Sequence, residues 1–231
     1  MEKAGSMKAT LGLIILAFAL VALVGCTPSD DATATPTSEA AQPSATSDSP
    51  GPVPVTSLDI SVAAFEIGGE IPERHTCFGD NVSPALEWSG VPEGTESLLL
   101  LVYDLDADAQ SGASIPPGFV HWVVYSIPTT VTGYAEDVAA GATLDDGALQ
   151  GSNDFTPLAA EGALFPGGAL AKLVGYDGPC PEDEHRYIFA LYALDTVLDV
   201  APGGAMPEIF EAMAGHTVAQ AEYMGVFAPP Q

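Results

Sequence analysis

Phe119-Val120-His121-Trp122-Val123-Val124-Tyr125-Ser126-Ile127 is a short, nearly continuous apolar run between Gly118 and Pro128. Such a run, rich in β-branched and aromatic residues and too short for a buried helix, reads as a strand covered on both faces. Ser97–Tyr103 (SLLLLVY) and His185–Leu194 (HRYIFALYAL) have the same character. The three runs are expected to form the centre of a sheet. Upstream, Leu58, Ile60 and Val62 alternate with polar or small residues, the period-two signature of a half-buried strand. Turn clusters such as Trp88–Pro92 and Ser111–Gly118 separate the runs at the spacing of antiparallel all-β architecture. The predicted fold is therefore mainly β, an antiparallel two-sheet β-sandwich, with short C-terminal helices.

Those helices are read from a change of period. Ile209, Phe210 and Met213, then Val218, Ala221 and Met224, recur at helical spacing, with Pro207 suited to a first turn. The spacing predicts two short helices broken near Gly215. Thr156–Val174, rich in Gly and Ala, reads as a mobile excursion beside the site.

The N-terminal part does not read as core. Lys8 precedes an apolar run, Leu11–Val24, that ends in Leu23-Val24-Gly25-Cys26, which resembles a lipobox. The expected organisation is a lipoprotein signal peptide over 1–25, a lipidated Cys26 heading a Ser/Thr/Pro-rich tether over 26–56, and one folded domain over 57–231. An uncleaved membrane anchor is the alternative, since the apolar run approaches the roughly 20 residues that span a bilayer. Either reading places the domain outside the cytoplasm. The tether lacks apolar periodicity and would reach roughly 30 Å as a flexible chain. Cys77 and Cys180 would then face an oxidising compartment, either bridged or filling two separate apolar spaces.

Charge narrows the partners. The net charge is −26, and Arg74, Lys172 and Arg186 are the only Lys or Arg residues beyond the leader. Three scattered cations cannot release the counterions that drive nucleic-acid binding, so that class is excluded. Electrostatic adsorption to anionic membranes is disfavoured for the same reason.

The chemistry-bearing residues fall at strand ends. Asp104 and Asp106 follow the first run, His121 lies near the start of the second, and Gly178-Pro179-Cys180-Pro181 precedes His185-Arg186-Tyr187. His185 and Tyr187 are two apart on one strand and face the same side. Imidazoles that titrate near 6.5 and a phenol suit an anion, and a buried Asp104 could fix an imidazole tautomer or contact an ammonium group. Taken alone, each has a plainer reading: Asp106 as a turn residue, His121 as a core histidine, Trp88 and Trp122 as core fillers, His75 as a loop or surface residue, His216 as structural.

Together with Ile71-Pro72, Thr76-Cys77, Gly79-Asp80-Asn81-Val82-Ser83-Pro84, Leu86-Glu87-Trp88, Gly151-Ser152-Asn153-Asp154-Phe155 and Gly215-His216, this order of motifs resembles the phosphatidylethanolamine-binding protein family, in its bacterial and archaeal, Raf-kinase-inhibitor-like branch. The resemblance runs from about Phe65 to the C-terminus. It implies the sandwich of that family and a pocket for phosphate, acetate or a phosphorylated head group, formed by Asp104, Asp106, His121, Gly178, Pro179, His185 and Tyr187. Leu105 departs from the family's Asp-Pro-Asp, 108–117 replaces a shorter loop, and Glu182-Asp183-Glu184 sets three acids beside His185. The expected function is that of an exported binding protein for a small anion or phospholipid head group, needing no cofactor or metal and performing no catalysis. A protease-inhibitor-like protein-binding module is the second reading. A hydrolase using His and Asp is the third, although the chain has neither His-Glu-x-x-His nor a serine in a nucleophile-elbow setting.

Overall fold

The structure is a computed structural model that describes residues 57–107 and 118–231. The leader over 1–25, Cys26, the tether over 26–56 and the loop 108–117 lie outside the described residues. In chain order the elements are β1 (Asp59–Val62), a 3-10 turn (Glu73–His75), β2 (Leu86–Ser89), β3 (Ser97–Asp104), β4 (Phe119–Ile127), β5 (Gly133–Tyr134), β6 (Leu149–Gln150), α1 (Thr156–Ala160), β7 (His185–Leu194), α2 (Met206–Met213) and β8 (Thr217–Phe227).

Two antiparallel sheets result. One has the order β1-β2-β5, the other β6-β4-β3-β7-β8. The three apolar runs are the adjacent strands β4, β3 and β7, and every residue of β3 is buried. Their continuous apolarity has a simple cause, because the large sheet is covered on both faces. Leu98, Leu100, Val102, Trp122, Val124 and Phe189 meet Ile60, Val62, Leu86 and Trp88 of the small sheet. On the opposite face Leu99, Leu101, Val123, Tyr125 and Ala190 pack against Met206, Ile209 and Met213 of α2. Each fully buried Leu or Val contributes about 1.5–3 kcal/mol through burial, so this double-sided strand trio dominates the stability of the domain.

The C-terminal reading needs one correction. α2 forms where the spacing predicts it, with Pro207 in its first turn. The second predicted helix is instead β8, paired along its length with β7 from Thr217↔Leu194 to Phe227↔His185. Val218, Ala221 and Met224 imitate a helical stripe, but Ala219, Ala221, Tyr223 and Phe227 alternate on the inter-sheet face. The unpaired edge of β7 selects the strand period over the helical one. His75 is also corrected: it is buried within the 3-10 turn, its Nδ1 2.9 Å from the carbonyl of Val82, rather than lying at the surface. His216 lies between α2 and β8, not on a helix, and its Nδ1 is 2.8 Å from Asp195 Oδ1.

Candidate ligand-binding site

Antiparallel pairing brings the C-terminal end of β3 beside the first residues of β4 and β7. Asp104 is in register with Phe119 on one side and Tyr187 on the other. Side chains from three distant stretches of sequence therefore meet at one end of the large sheet. The approach is close enough to demand glycine at its entrance. Gly118 has φ +148°, and a Cβ there would lie 2.1 Å from the carbonyl oxygen of Asp104.

His121 occupies a β-bulge. Val102 pairs with Trp122 and Tyr103 with Val120, so β4 spends one extra residue, His121, against β3. Val120 packs on the α2 face and Trp122 on the inter-sheet face, and strict alternation could not satisfy both. The bulge aims the imidazole at Phe119, Phe155 and Tyr187, each with its ring centroid 5.3 Å away. His121 Nδ1 is 2.7 Å from the carbonyl of Asp177. A carbonyl only accepts, so Nδ1 carries the proton. Burial pushes the His121 pKa below its ordinary value, against the raising influence of that bond and of Asp104, Asp177 and Asp154.

His185 is anchored in the same manner. Its Nδ1 lies 2.7 Å from Asp104 Oδ2, while Asp104 Oδ1 accepts the N–H groups of Asp106, at 2.8 Å, and Ala107, at 3.1 Å. Asp104 thus serves one imidazole and one turn. With both Nδ1 atoms engaged, Nε2 is the nitrogen each ring has left for a ligand. Neutral, it accepts a hydrogen bond; protonated, it donates one.

A cavity of about 250 Å³ opens here, lined by Asp104, Ala107, Phe119, His121, Phe155, Cys180, Pro181, Glu182 and His185. That volume suits a head group and not a whole lipid. Tyr187 lies just behind the wall against His121. Its hydroxyl is buried with no hydrogen-bond partner among the described residues, and desolvation, then the nearby Asp104 carboxylate, push its pKa far up. It remains a neutral donor.

Gly178, Pro179 and Asp106 do not line this cavity. Gly178, which the resemblance implies as a pocket residue, donates its N–H to Asn81 Oδ1 at 2.7 Å, and the Pro179 carbonyl accepts from Cys77 N at 3.0 Å. A Cβ on Gly178 would sit 2.0 Å from the His75 carbonyl, so the glycine permits two loops to pack face to face. Asp106 turns outward to Arg186, accepting from its Nε at 2.9 Å and its backbone N–H at 2.9 Å. The arginine holds the Asp106 carboxyl down at about 2, chiefly through that side-chain hydrogen bond.

The residues beneath the cavity are ones whose role the sequence leaves unassigned. Asp177, fully buried, accepts from Asn81 Nδ2 at 2.8 Å, Asn153 Nδ2 at 3.3 Å, Lys172 N at 2.8 Å and Lys172 Nζ at 3.2 Å. Asn81 adopts φ 57°, a left-handed conformation that asparagine tolerates. Asn153 Oδ1 accepts from Phe155 N at 2.9 Å and Asp154 Oδ2 from Val120 N at 2.7 Å, which together fix the aromatic wall and the start of β4. Cys77 and Cys180 form a disulfide, with Cα atoms 5.3 Å apart, that ties the 3-10 turn region to the cavity rim. Glu182, one of the three acids noted beside His185, does line the cavity, whereas Phe119, Phe155 and Pro181 line it without having been assigned to the site, because nothing in such a residue's local context marks it as a wall. No group of three or more His, Cys, Asp or Glu side chains among the described residues is placed to hold a metal ion.

The profile of the family described as phosphatidylethanolamine-binding protein matches residues 61–228. The chain belongs to that family. A UPF0098 protein of Methanothermobacter thermautotrophicus is 40% identical over 171 residues, covering 74% of this chain and 98% of that one. A UPF0098 protein of Chlamydia trachomatis is 35% identical over 177 residues, with the same two coverages. Among solved structures, E. coli YbcL, described as a member of the mammalian family, superposes with a TM-score of 0.59 at 31% identity, covering 75% of this chain and 99% of that one. The family homologue CT736 of Chlamydia trachomatis gives 0.58 at 34%, covering 76% and 99%. The family members thus share the two-sheet architecture in which the cavity sits.

Proposed function

We propose that this chain is a membrane-tethered, extracytoplasmic binding protein that performs no catalysis and holds a small anion or phospholipid head group in the cavity between β3, β4 and β7. The observation that carries the reading is the convergence of His121 and His185 on one head-group-sized space, each ring anchored at Nδ1 so that Nε2 is the atom on offer. Protonation of either Nε2 supplies a donor and a positive charge for a phosphate oxygen. Asp104 and Glu182 on the same wall disfavour a bare dianion and suit a zwitterion such as phosphoethanolamine, whose ammonium they would receive. The Cys77–Cys180 bridge supports an oxidising compartment, and Leu23–Cys26 supports lipidation.

Native mass spectrometry of the purified protein identifies what is retained. Titration with phosphate and phosphoethanolamine then tests the cavity: His185→Ala is expected to weaken both by about ten-fold or more, equivalent to ~1.4 kcal/mol. Unchanged affinity in His185→Ala and Tyr187→Ala together removes the proposed site. For the anchor, metabolic labelling with a fatty acid should be abolished by Cys26→Ser, and label that survives rejects lipidation there.

A further inference from the structure

Residues 156–174 leave α1 and return through a short hairpin in which Leu164 and Leu170 form an antiparallel bridge, with Phe165 N donating to the Ala169 carbonyl at 2.8 Å. The hairpin packs against residues of the cavity wall without lining the cavity itself. Phe165 stacks edge-on against Phe155 at 5.1 Å, Gly167 N donates to the Cys77 carbonyl at 2.8 Å, and Ala169 and Ala171 pack beside them and the disulfide. Alternation then dictates where the intervening residues go. Leu164 and Leu170, directly opposite each other, face outward and are 67% and 60% exposed. Leu158 and Leu173, bonded through their carbonyls to Ala163 N and Thr156 Oγ1, are also exposed. Four of the seven large exposed hydrophobics among the described residues thus belong to this one segment. A folded protein rarely leaves such a group uncovered without a partner for it.

Charge decides which partner. In a chain of net charge −26, residues 156–174 carry only Glu161 and Lys172. The Lys172 ammonium turns inward to Asp177 Oδ1 and the Asn81 carbonyl, leaving Glu161 as the one charge of the segment that points out. Elsewhere the acidic surface repels a membrane; here it offers a nearly neutral face of leucines beside the cavity. We propose that this leucine hairpin rests in the interface of a zwitterionic phospholipid bilayer and thereby presents the cavity to the head groups there. The proposal deepens the head-group reading and rests on it for what the cavity receives. It draws separately on the outward leucines for how the domain is oriented. Thirty residues separate Cys26 from Ser57, and a tether of the kind expected from their sequence would reach roughly 30 Å, enough for such contact. Side chains of this kind settle at the boundary between head groups and acyl chains.

The test uses the full chain held by its N-terminal segment on vesicles of phosphatidylcholine and phosphatidylethanolamine with brominated acyl chains. Leu170→Trp reports on the hairpin. Val197→Trp reports on an exposed site beyond Leu194, at the opposite end of β7 from His185, and the native Trp88 and Trp122 are buried in both variants. Bromine is expected to quench the added tryptophan of Leu170→Trp about two-fold and to leave that of Val197→Trp unchanged. Equal quenching in the two, or none in Leu170→Trp, overturns the proposal. So does shielding of Leu170→Trp that needs envelope proteins and is absent on pure lipid, which would make the occupant a protein. Phosphate affinity in solution, measured on the Leu164→Ser/Leu170→Ser double variant, is expected to match the parent protein. A ten-fold loss there would mean that the hairpin belongs to the cavity and would overturn its separate role. Failure of every variant to bind phosphate, with quenching intact, would sink the cavity reading and leave the membrane contact standing.

Discussion

Beneath the cavity Asn81, Asn153, Lys172 and Asp177 saturate one another with hydrogen bonds, whereas the wall facing the cavity holds polar atoms with capacity to spare. Two imidazoles are each bonded at Nδ1 alone among the described residues, and behind them the buried Tyr187 hydroxyl is bonded to nothing there. Buried polar groups are normally satisfied, so the lower layer is what a stable fold requires and the wall is where a fold keeps room for something else. Stability and binding should consequently respond to different residues.

The lower layer should be the costly one to disturb. Asp177→Ala takes the only carboxylate among the described residues away from the Lys172 ammonium and removes one acceptor from each of two asparagine amides, and a loss of about 3–5 kcal/mol is expected in urea denaturation. Next comes the bridge. It spans 103 residues of sequence, and replacing Cys77 and Cys180 together by serine is expected to cost about 2–4 kcal/mol, measured in the same way. At the wall the balance inverts: His185→Ala should change stability by less than about 1 kcal/mol while weakening phosphate binding about ten-fold or more. Tyr187→Phe removes a hydroxyl that is buried behind the wall with no protein partner among the described residues, so stability should stay within about 0.5 kcal/mol of the parent and phosphate affinity within about two-fold.

Acid provides a finer separation. Because burial lowers the His121 pKa, the fold favours the neutral ring; that contribution is whole above the unfolded value of about 6.5 and is lost as pH falls through and below it. The ligand-free protein should therefore melt at lower temperature at pH 5.5 than at pH 7.5. His121→Gln should narrow the gap. A bound anion should narrow the same gap, since its charge favours the protonated His121 ring that burial disfavours.

How much of this could be read from sequence depended on how many faces of each element are buried. β3, β4 and β7 are covered on both sides, so their composition announces them without regard to what they pack against. β8 is an edge strand of small and half-buried residues, and Val218, Ala221 and Met224 satisfy two periods at once; only the free edge of β7 resolves them. β5 and β6, two residues each, exist through pairing alone and leave no local pattern. At the site, His185 and Tyr187 could be placed on one face because they are two apart on a regular strand. The bulge that aims His121 is invisible in FVHWVVYSI, since it arises from a mismatch of length with β3. Gly178 and Pro179 stand next to the cavity in sequence but serve its foundations, a distinction that depends on hydrogen bonds to residues about a hundred positions away.

The chain has four histidines, and two of them serve as internal controls. Imidazole proton resonances followed by NMR during titration with phosphoethanolamine should show His121 and His185 shifting together with one dissociation constant, while His75, sealed against Val82, and His216, paired with Asp195, stay still. Movement of only one of the first pair, of neither, or of both with different constants would contradict a single shared ligand between β3, β4 and β7.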